Sequence, residues 1–300
     1  MSGLVLALVG AASVQAPPPL TFTVAVESVY VDVFVTDGNQ PVVGLDAADF
    51  ELKDNGARRH VELVAVEARP LTTFLVLDAS GSVDGQKLVQ LRAAARALLG
   101  GLRPGDEAAL VTFDEEVRLR VPPTSDRARL DRGVAGIFPG GATALLDALY
   151  AGALLASGRG RSLLVLFTDG EDNLSWLGAD EVRRVLLESN VLVQAVGIVP
   201  KEETRYDPGL RPIPPSETPH VRTLRHLAEV TGGRFWAAFA PDRLAEAFLA
   251  ILEAMKTRYV LRFEPDRERR DGLHQLEVRL VRRKGKVHCR KAYFVGPPKP

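Results

Sequence analysis

The sequence predicts an α/β fold: a mostly parallel sheet covered by helices on both faces, with smaller β regions before and after it. Three observations carry that expectation. Between Thr72 and Lys256, apolar strand-like runs such as TTFLVLD, DEAALVTF and SLLVLFTDG alternate with segments whose apolar residues repeat at helical spacing. Residues 22–66 and the residues after Lys256 show only the alternation of strands. The chain has 300 residues, 46% apolar and 25% charged, which suits one large globular domain or two ordinary ones.

In chain order, FTVAVESVYVDVFVTDG is rich in β-branched residues and stops at Asp37-Gly38. Gly44–Phe50 reads as a short turn that Asp46 can cap. FELKDNGARRHVELVAV follows as a hairpin, because Asn55-Gly56 supplies the positive φ angles that a two-residue turn requires. Helices are expected over Lys87–Leu99, ending at Gly100-Gly101, and over 126–137, Ala144–Ala156, Asp180–Ser189, Val221–Val230 and Asp242–Lys256. Strands EVRLRV, VLVQAVGIV and RFWAA fall between them. After Lys256 come RYVLRFE, LHQLEVRLVRR and KVHCRKAYFV, which have no helices of their own. The economical arrangement pairs them with the N-terminal strands in one β-sandwich, into which the α/β domain is inserted. The expected organisation is thus a signal peptide at 1–16, a β region at 20–68, the α/β domain at 70–256 and a second β region at 257–296. The proline-rich stretch 200–219 is long for a loop in a compact domain.

Formal net charge is zero, so the overall balance favours neither nucleic acid nor anionic membrane as a partner. Basic residues do concentrate from Arg258 to Lys291, twelve against five acidic ones, and read as a solvated face. Cys289 is the single cysteine, so no intramolecular disulfide forms. Beside His288 it is far short of a zinc site and reads as packing. Leu4–Ala12 is an apolar run of signal-peptide length, and Val14-Gln15-Ala16 has small residues at the cleavage spacing, although no Lys or Arg precedes the run. Export to an extracytoplasmic location, periplasmic or secreted, is the expectation. The run is too short to span a bilayer.

The segment FLVLDASGSVDG (74–85) carries the chemistry. A strand buried on both faces ends in Asp78, Ser80 and Ser82, three oxygen-bearing side chains on alternate residues. A phosphate cradle would need a glycine-rich loop with a lysine entering the helix, whereas here the loop carries an acid and Lys87 lies too far along. A nucleophile elbow would need Gly-x-Ser-x-Gly, and no histidine has a claim to be the base. A helix cap at Ser82 leaves Asp78 and Ser80 unexplained. A metal site explains all three, since hard oxygen donors suit Mg²⁺, and it requires further donors at neighbouring strand ends. Thr143 in GGATAL and Asp169 in FTDG supply them. The bland alternative has Asp78 and Asp169 capping helices while the hydroxyls satisfy turn backbones.

Asp78-x-Ser80-x-Ser82 followed by Thr143 and Asp169 resembles the metal-ion-dependent adhesion site of the von Willebrand factor type A domain. The resemblance covers about residues 70–256, and the flanks are similar to a bacterial subfamily of von Willebrand factor A-related proteins. It implies a Rossmann-like α/β domain and a divalent cation, Mg²⁺ or alternatively Mn²⁺ or Ca²⁺. Ser80 and Ser82 would ligate directly, Thr143 and Asp169 directly or through water, and Asp78 in or near the inner shell. An open position on the ion would then accept an acidic side chain of a protein partner. The implied function is an exported, non-enzymatic adhesion or assembly module. The alternatives are a structural component of an envelope complex with no metal-dependent ligand, or a metal-dependent hydrolase. Glu171 and Asp172 read as a solvated acidic rim around the metal face, with Trp176 partly exposed beside it as a candidate partner contact.

Overall fold

The computed structural model describes residues 28–38, 40–65, 70–199, 205–206, 212–213, 218–265 and 272–295. The expected signal peptide and most of the 200–219 loop lie outside the described residues. The first strands are β1 (Val29–Asp37), β2 (Gln40–Pro41), β3 (Phe50–Asp54), β4 (Ala57–Arg59) and β5 (Glu62–Val64). Asp46 and Asp49 form a reciprocal capping box around the 3₁₀ turn before β3. Asn55 (φ 48°) and Gly56 (φ 84°) make the β3–β4 turn.

The α/β domain then runs β6 (Leu71–Asp78), α1 (Gln86–Gly100), β7 (Glu107–Phe113), β8 (Val117–Thr124), α2 (Arg127–Ala135), α3 (Leu145–Ala156) and β9 (Arg161–Thr168). It continues through α4 (Ala179–Glu188), β10 (Leu192–Ile198), the two-residue ribbon β11 (Arg205–Tyr206) and β12 (Pro212–Ile213), α5 (Pro219–Val230), β13 (Arg234–Ala238) and α6 (Leu244–Lys256). The last strands are β14 (Tyr259–Phe263), β15 (Gly272–Leu280), β16 (Lys286–His288) and β17 (Ala292–Val295).

Six strands form the central sheet in the order β13-β10-β9-β6-β7-β8. All neighbours are parallel except the β7–β8 edge pair, a hairpin whose short turn permits only antiparallel pairing. Because β6 is central, successive residues point into opposite cores: Leu75 and Leu77 pack with α1, α2 and α6, while Phe74 and Val76 pack with α3, α4 and α5. Helix α1 buries Leu88, Leu91, Ala94, Ala95, Leu98 and Leu99, one stripe at helical spacing. Each buried leucine is worth about 2 kcal/mol of removed apolar surface.

Strands from both ends of the chain build the other lobe. Strand β1 pairs with β14 and β16, and β3 pairs with β15, all antiparallel. The two resulting sheets share one core, in which Val31, Val33, Val35, Leu261 and Phe263 meet Leu52, Leu276, Val278 and Tyr293. Cys289 is buried in that core as packing, and burial raises its thiol pKa.

The basic C-terminal stretch does not all lie on a solvated face. Arg258 and Arg290 are buried where the two lobes meet. Arg258 donates to the carbonyls of Gly232 (2.9 Å) and Asp32 (3.3 Å), and Arg290 donates to Asn190 Oδ1 and the Leu187 carbonyl. Burial lowers both guanidinium pKa values to about 10, with Asp32 opposing the shift. Charge counts along the sequence missed this because backbone carbonyls and an amide side chain, invisible in a charge count, bond the two cations.

Candidate functional site

In an open parallel sheet, ligands bind beyond the carboxyl ends of the strands, where the chain direction switches from one side to the other. That switch lies at β6: the chain leaves β6 for β7 on one side and later returns to β9 on the other. Asp78 ends β6, and Asp169 follows the last residue of β9. The topology therefore puts the two carboxylates at the same crevice.

The loop after β6 is held on both sides. Asp78 is fully buried; its Oδ1 accepts from Ser80 N (2.8 Å) and its Oδ2 from Thr168 Oγ1 (2.7 Å). Desolvation raises its pKa, opposed by the hydrogen bonds from Ser80 and Thr168. Ser80 Oγ lies 3.0 Å from Ser82 Oγ, which donates to Asp169 Oδ1 at 2.7 Å. Ser80 is buried, and Ser82 is the exposed member of this row of oxygens at the sheet end.

Thr143 arrives from the α2–α3 loop. Gly81 N donates to Gly141 O (3.1 Å) and Gly140 N to Ala79 O (2.9 Å), which lays that loop against the serine loop. Gly141 has φ 75°, and a Cβ there would come within 3.3 Å of the Glu115 carboxylate, so glycine alone fits the approach without strain. Thr143 is buried. Its N–H donates to Asn173 Oδ1 (2.8 Å), and its carbonyl accepts from Asn173 N (3.1 Å) and Leu174 N (3.2 Å).

The capping alternative holds in part: Asp78 Oδ1 accepts from Ser80 N at the start of the 3₁₀ turn, whereas Asp169 bonds Ser82 and Lys87 rather than a helix terminus and the N-cap of α1 is Gly85. Asp78, Ser80, Ser82 and Asp169 meet at the strand-end crevice, with Thr143 on the loop laid against them, and oxygen donors of this kind fit a hard divalent ion. Among the described residues no group of three His, Cys, Asp or Glu side chains could hold a metal.

The expected rim is corrected at one position. Asp172 is not a solvated acid: its Oδ1 accepts from Leu145 N (2.8 Å) and Ser175 Oγ, which closes the N-terminus of α3. Ser175 accepts from Leu146 N, and Asp147 accepts from the backbone of Trp176 and Leu177. The helix had no capping residue at its own N-cap, Ala144, so the cap comes from a distant loop. Glu171 is exposed and pairs with His220 at 3.3 Å. Trp176 is 95% exposed and Phe138, on the loop that leads to Gly140, is 74% exposed.

Lys87, Thr168, Asn173 and Phe138 were not singled out as site residues from the sequence. Lys87 Nζ lies 2.5 Å from Asp169 Oδ2 and 3.1 Å from Ser82 O. Thr168 carried a signal, being a hydroxyl at the end of an otherwise apolar strand. Asn173 and Phe138 carried none beyond their place near Thr143.

This is the fold of a von Willebrand factor type A domain, with the sheet, the helices on both faces and a polar crevice at the switch point. Residues 73–171 match the family model described as von Willebrand factor type A domain. A UPF0353 protein of Mycolicibacterium paratuberculosis is 24% identical over 206 residues, 62% of this chain and 60% of its own length. An uncharacterized protein of Synechocystis sp. is 32% identical over 109 residues, 34% of this chain and 26% of its own length. The chain thus spans less than two thirds of both relatives. Among solved structures, von Willebrand factor type A from Catenulispora acidiphila superposes with a TM-score of 0.51 at 15% identity, covering 87% of this chain and 75% of that one. Proximal thread matrix protein 1 from the mussel byssus gives a TM-score of 0.50 at 16% identity, covering 68% and 50%. At these identities the structures are similar in fold alone.

Proposed function

We propose that the protein is a metal-dependent binding module that captures a protein partner at an extracytoplasmic location. The observation that carries this reading is the linked row Ser80 Oγ, Ser82 Oγ, Asp169 Oδ1 at the sheet end, with contacts of 3.0 and 2.7 Å and Ser82 as its exposed member. With Asp78 and Thr143 it would hold Mg²⁺, or alternatively Mn²⁺ or Ca²⁺. The ion would supply a Lewis-acidic position that accepts an Asp or Glu side chain of the partner. Two carboxylates would roughly balance the divalent charge, and three neutral hydroxyls would leave the ion electrophilic enough to accept an external carboxylate. Trp176 and Phe138 would flank that carboxylate with apolar surface, and Glu171 would lie at the edge.

A hydrolytic reading has less support. Asp78, the more buried carboxylate, already accepts bonds on both oxygens, so it serves as an anchor rather than a general base. The signal-peptide expectation supports the proposed location. No helix among the described residues is long and apolar enough to cross a membrane.

The test is affinity capture from an envelope extract with Mg²⁺ in the buffer, eluted with chelator and repeated with Asp78→Ala. Chelator-released capture that the variant loses, with its fold intact by circular dichroism, is expected. Equal capture in Mg²⁺ and in chelator would overturn the reading.

A further inference from the structure

Lys87 lies in the first turn of α1 and turns back across the loop that precedes it. Its Nζ is 2.5 Å from Asp169 Oδ2 and 3.1 Å from the Ser82 carbonyl. The Asp169 side chain is fully screened from solvent, while that of Lys87 is 36% exposed. The two oxygens of one carboxylate thus face different ways: Oδ1 towards the hydroxyl row through Ser82, and Oδ2 towards the ammonium.

We propose that Lys87 is a built-in counter-cation of this site and sets how tightly a divalent ion is held there. The proposal rests on the metal reading above. A dication placed among Ser80, Ser82 and Thr143 shares Asp169 with an ammonium group that is covalently tethered and cannot diffuse away. The two cations repel across a single carboxylate. Even at the dielectric constant of water, a single and a double positive charge at near-contact separation oppose each other by enough to weaken binding on the order of tenfold. Lys87 therefore makes the site a weak and exchangeable one. It also offsets one of the two carboxylates, so that the pair Asp78 and Asp169 does not by itself neutralise both the ammonium and a dication.

A purely structural lysine predicts the opposite sign. If Lys87 only positioned Asp169 and the Ser82 carbonyl, its loss would loosen the donors and weaken cation binding. The two roles therefore separate on the direction of one measurement.

The experiment titrates Mn²⁺ into the full chain and follows free ion by electron paramagnetic resonance. It compares wild type, Lys87→Gln, Lys87→Arg and a Ser80→Ala/Ser82→Ala double variant. Binding that depends on the two serines, roughly tenfold tighter in Lys87→Gln and near wild type in Lys87→Arg, is the expected result. Serine-dependent binding that is unchanged or weaker in Lys87→Gln overturns the role of Lys87 and leaves the metal site standing. No serine-dependent binding in wild type or in Lys87→Gln overturns both. Circular dichroism on each variant guards against misfolding, and Lys87→Arg keeps the charge if the glutamine variant fails to fold.

Discussion

Asp32 on β1 holds Arg161 at the start of β9 through a single carboxylate oxygen, with contacts of 3.0 Å to Nε and 2.7 Å to Nη2. This ion pair joins the β lobe to the central strand layer of the α/β domain. Arg258, buried at the same junction, comes within 3.9 Å of the same oxygen. One partly exposed acid therefore faces two buried guanidinium groups. Asp32→Ala leaves both uncompensated, and a loss of about 3 kcal/mol is expected, at the lower end for breaking a buried pair because Asp32 itself keeps some solvent. Urea denaturation measures it. A loss under about 0.5 kcal/mol would show that water replaces the carboxylate.

Metal loading should be visible as stability. An ion that binds only the folded state, at a concentration a hundred times its dissociation constant, adds about 2.7 kcal/mol. Wild type is expected to melt at a higher temperature in Mg²⁺ than in chelator. The Ser80→Ala/Ser82→Ala variant should show no such difference while keeping its melting temperature in chelator. A shift of equal size in both proteins would place any bound ion elsewhere.

The remote cap of α3 has its own signature. Asp172→Ala removes the acceptor for Leu145 N and the partner of Ser175, and a cost of about 1 kcal/mol is expected from a lost N-cap. Asp172→Asn keeps an acceptor oxygen and should recover most of it. If Asp172 were a free rim acid, both changes would be neutral by urea denaturation.

His288 should make stability sensitive to acid. Burial, with help from nearby cations such as Lys286, lowers its pKa from 6.5 to about 4, while Thr36 Oγ1 sits 3.2 Å from Nε2. Between these two values the unfolded chain binds the proton and the folded chain does not. The contribution is thus complete above pH 6.5 and is lost as pH falls towards 4. His288→Gln should lose less of its urea midpoint between pH 7 and pH 4.5 than wild type. Parallel losses would mean that His288 titrates normally.

Trp176 contributes contact surface rather than stability. At 95% exposure, Trp176→Ala should change unfolding free energy by no more than about 0.5 kcal/mol. Capture of the partner should weaken, with Mn²⁺ affinity unchanged. A large loss of stability would show the indole to be structural.

Regular elements were legible wherever the pattern was local. The apolar period of Lys87–Leu99 anticipated α1, observed as Gln86–Gly100, because one helical stripe must face the sheet. The Asn55-Gly56 turn was legible because few other dipeptides take two positive φ angles. The antiparallel strand β8 was seen as alternation, but its pairing partner follows from the short turn at 114–116 rather than from its own residues. Among candidate site residues, Asp78, Ser80 and Ser82 were readable from one loop. Asp172 was misread because its bonding partner, the bare N-terminus of α3, lies 27 residues earlier in the chain.

The sequence by itself determined which residues alternate with which period, hence the α/β core, the β strands at both ends and the cluster of oxygen side chains where apolar strands stop. These are consequences of burial and of backbone geometry within a few residues. Only the tertiary structure decided which polar groups satisfy one another: Arg258 with the carbonyl of Gly232, Asp172 with the first amide of α3, Lys87 with Asp169. A buried charge or an uncapped helix end must find a partner in space, and the partner's distance along the chain does not enter its energy.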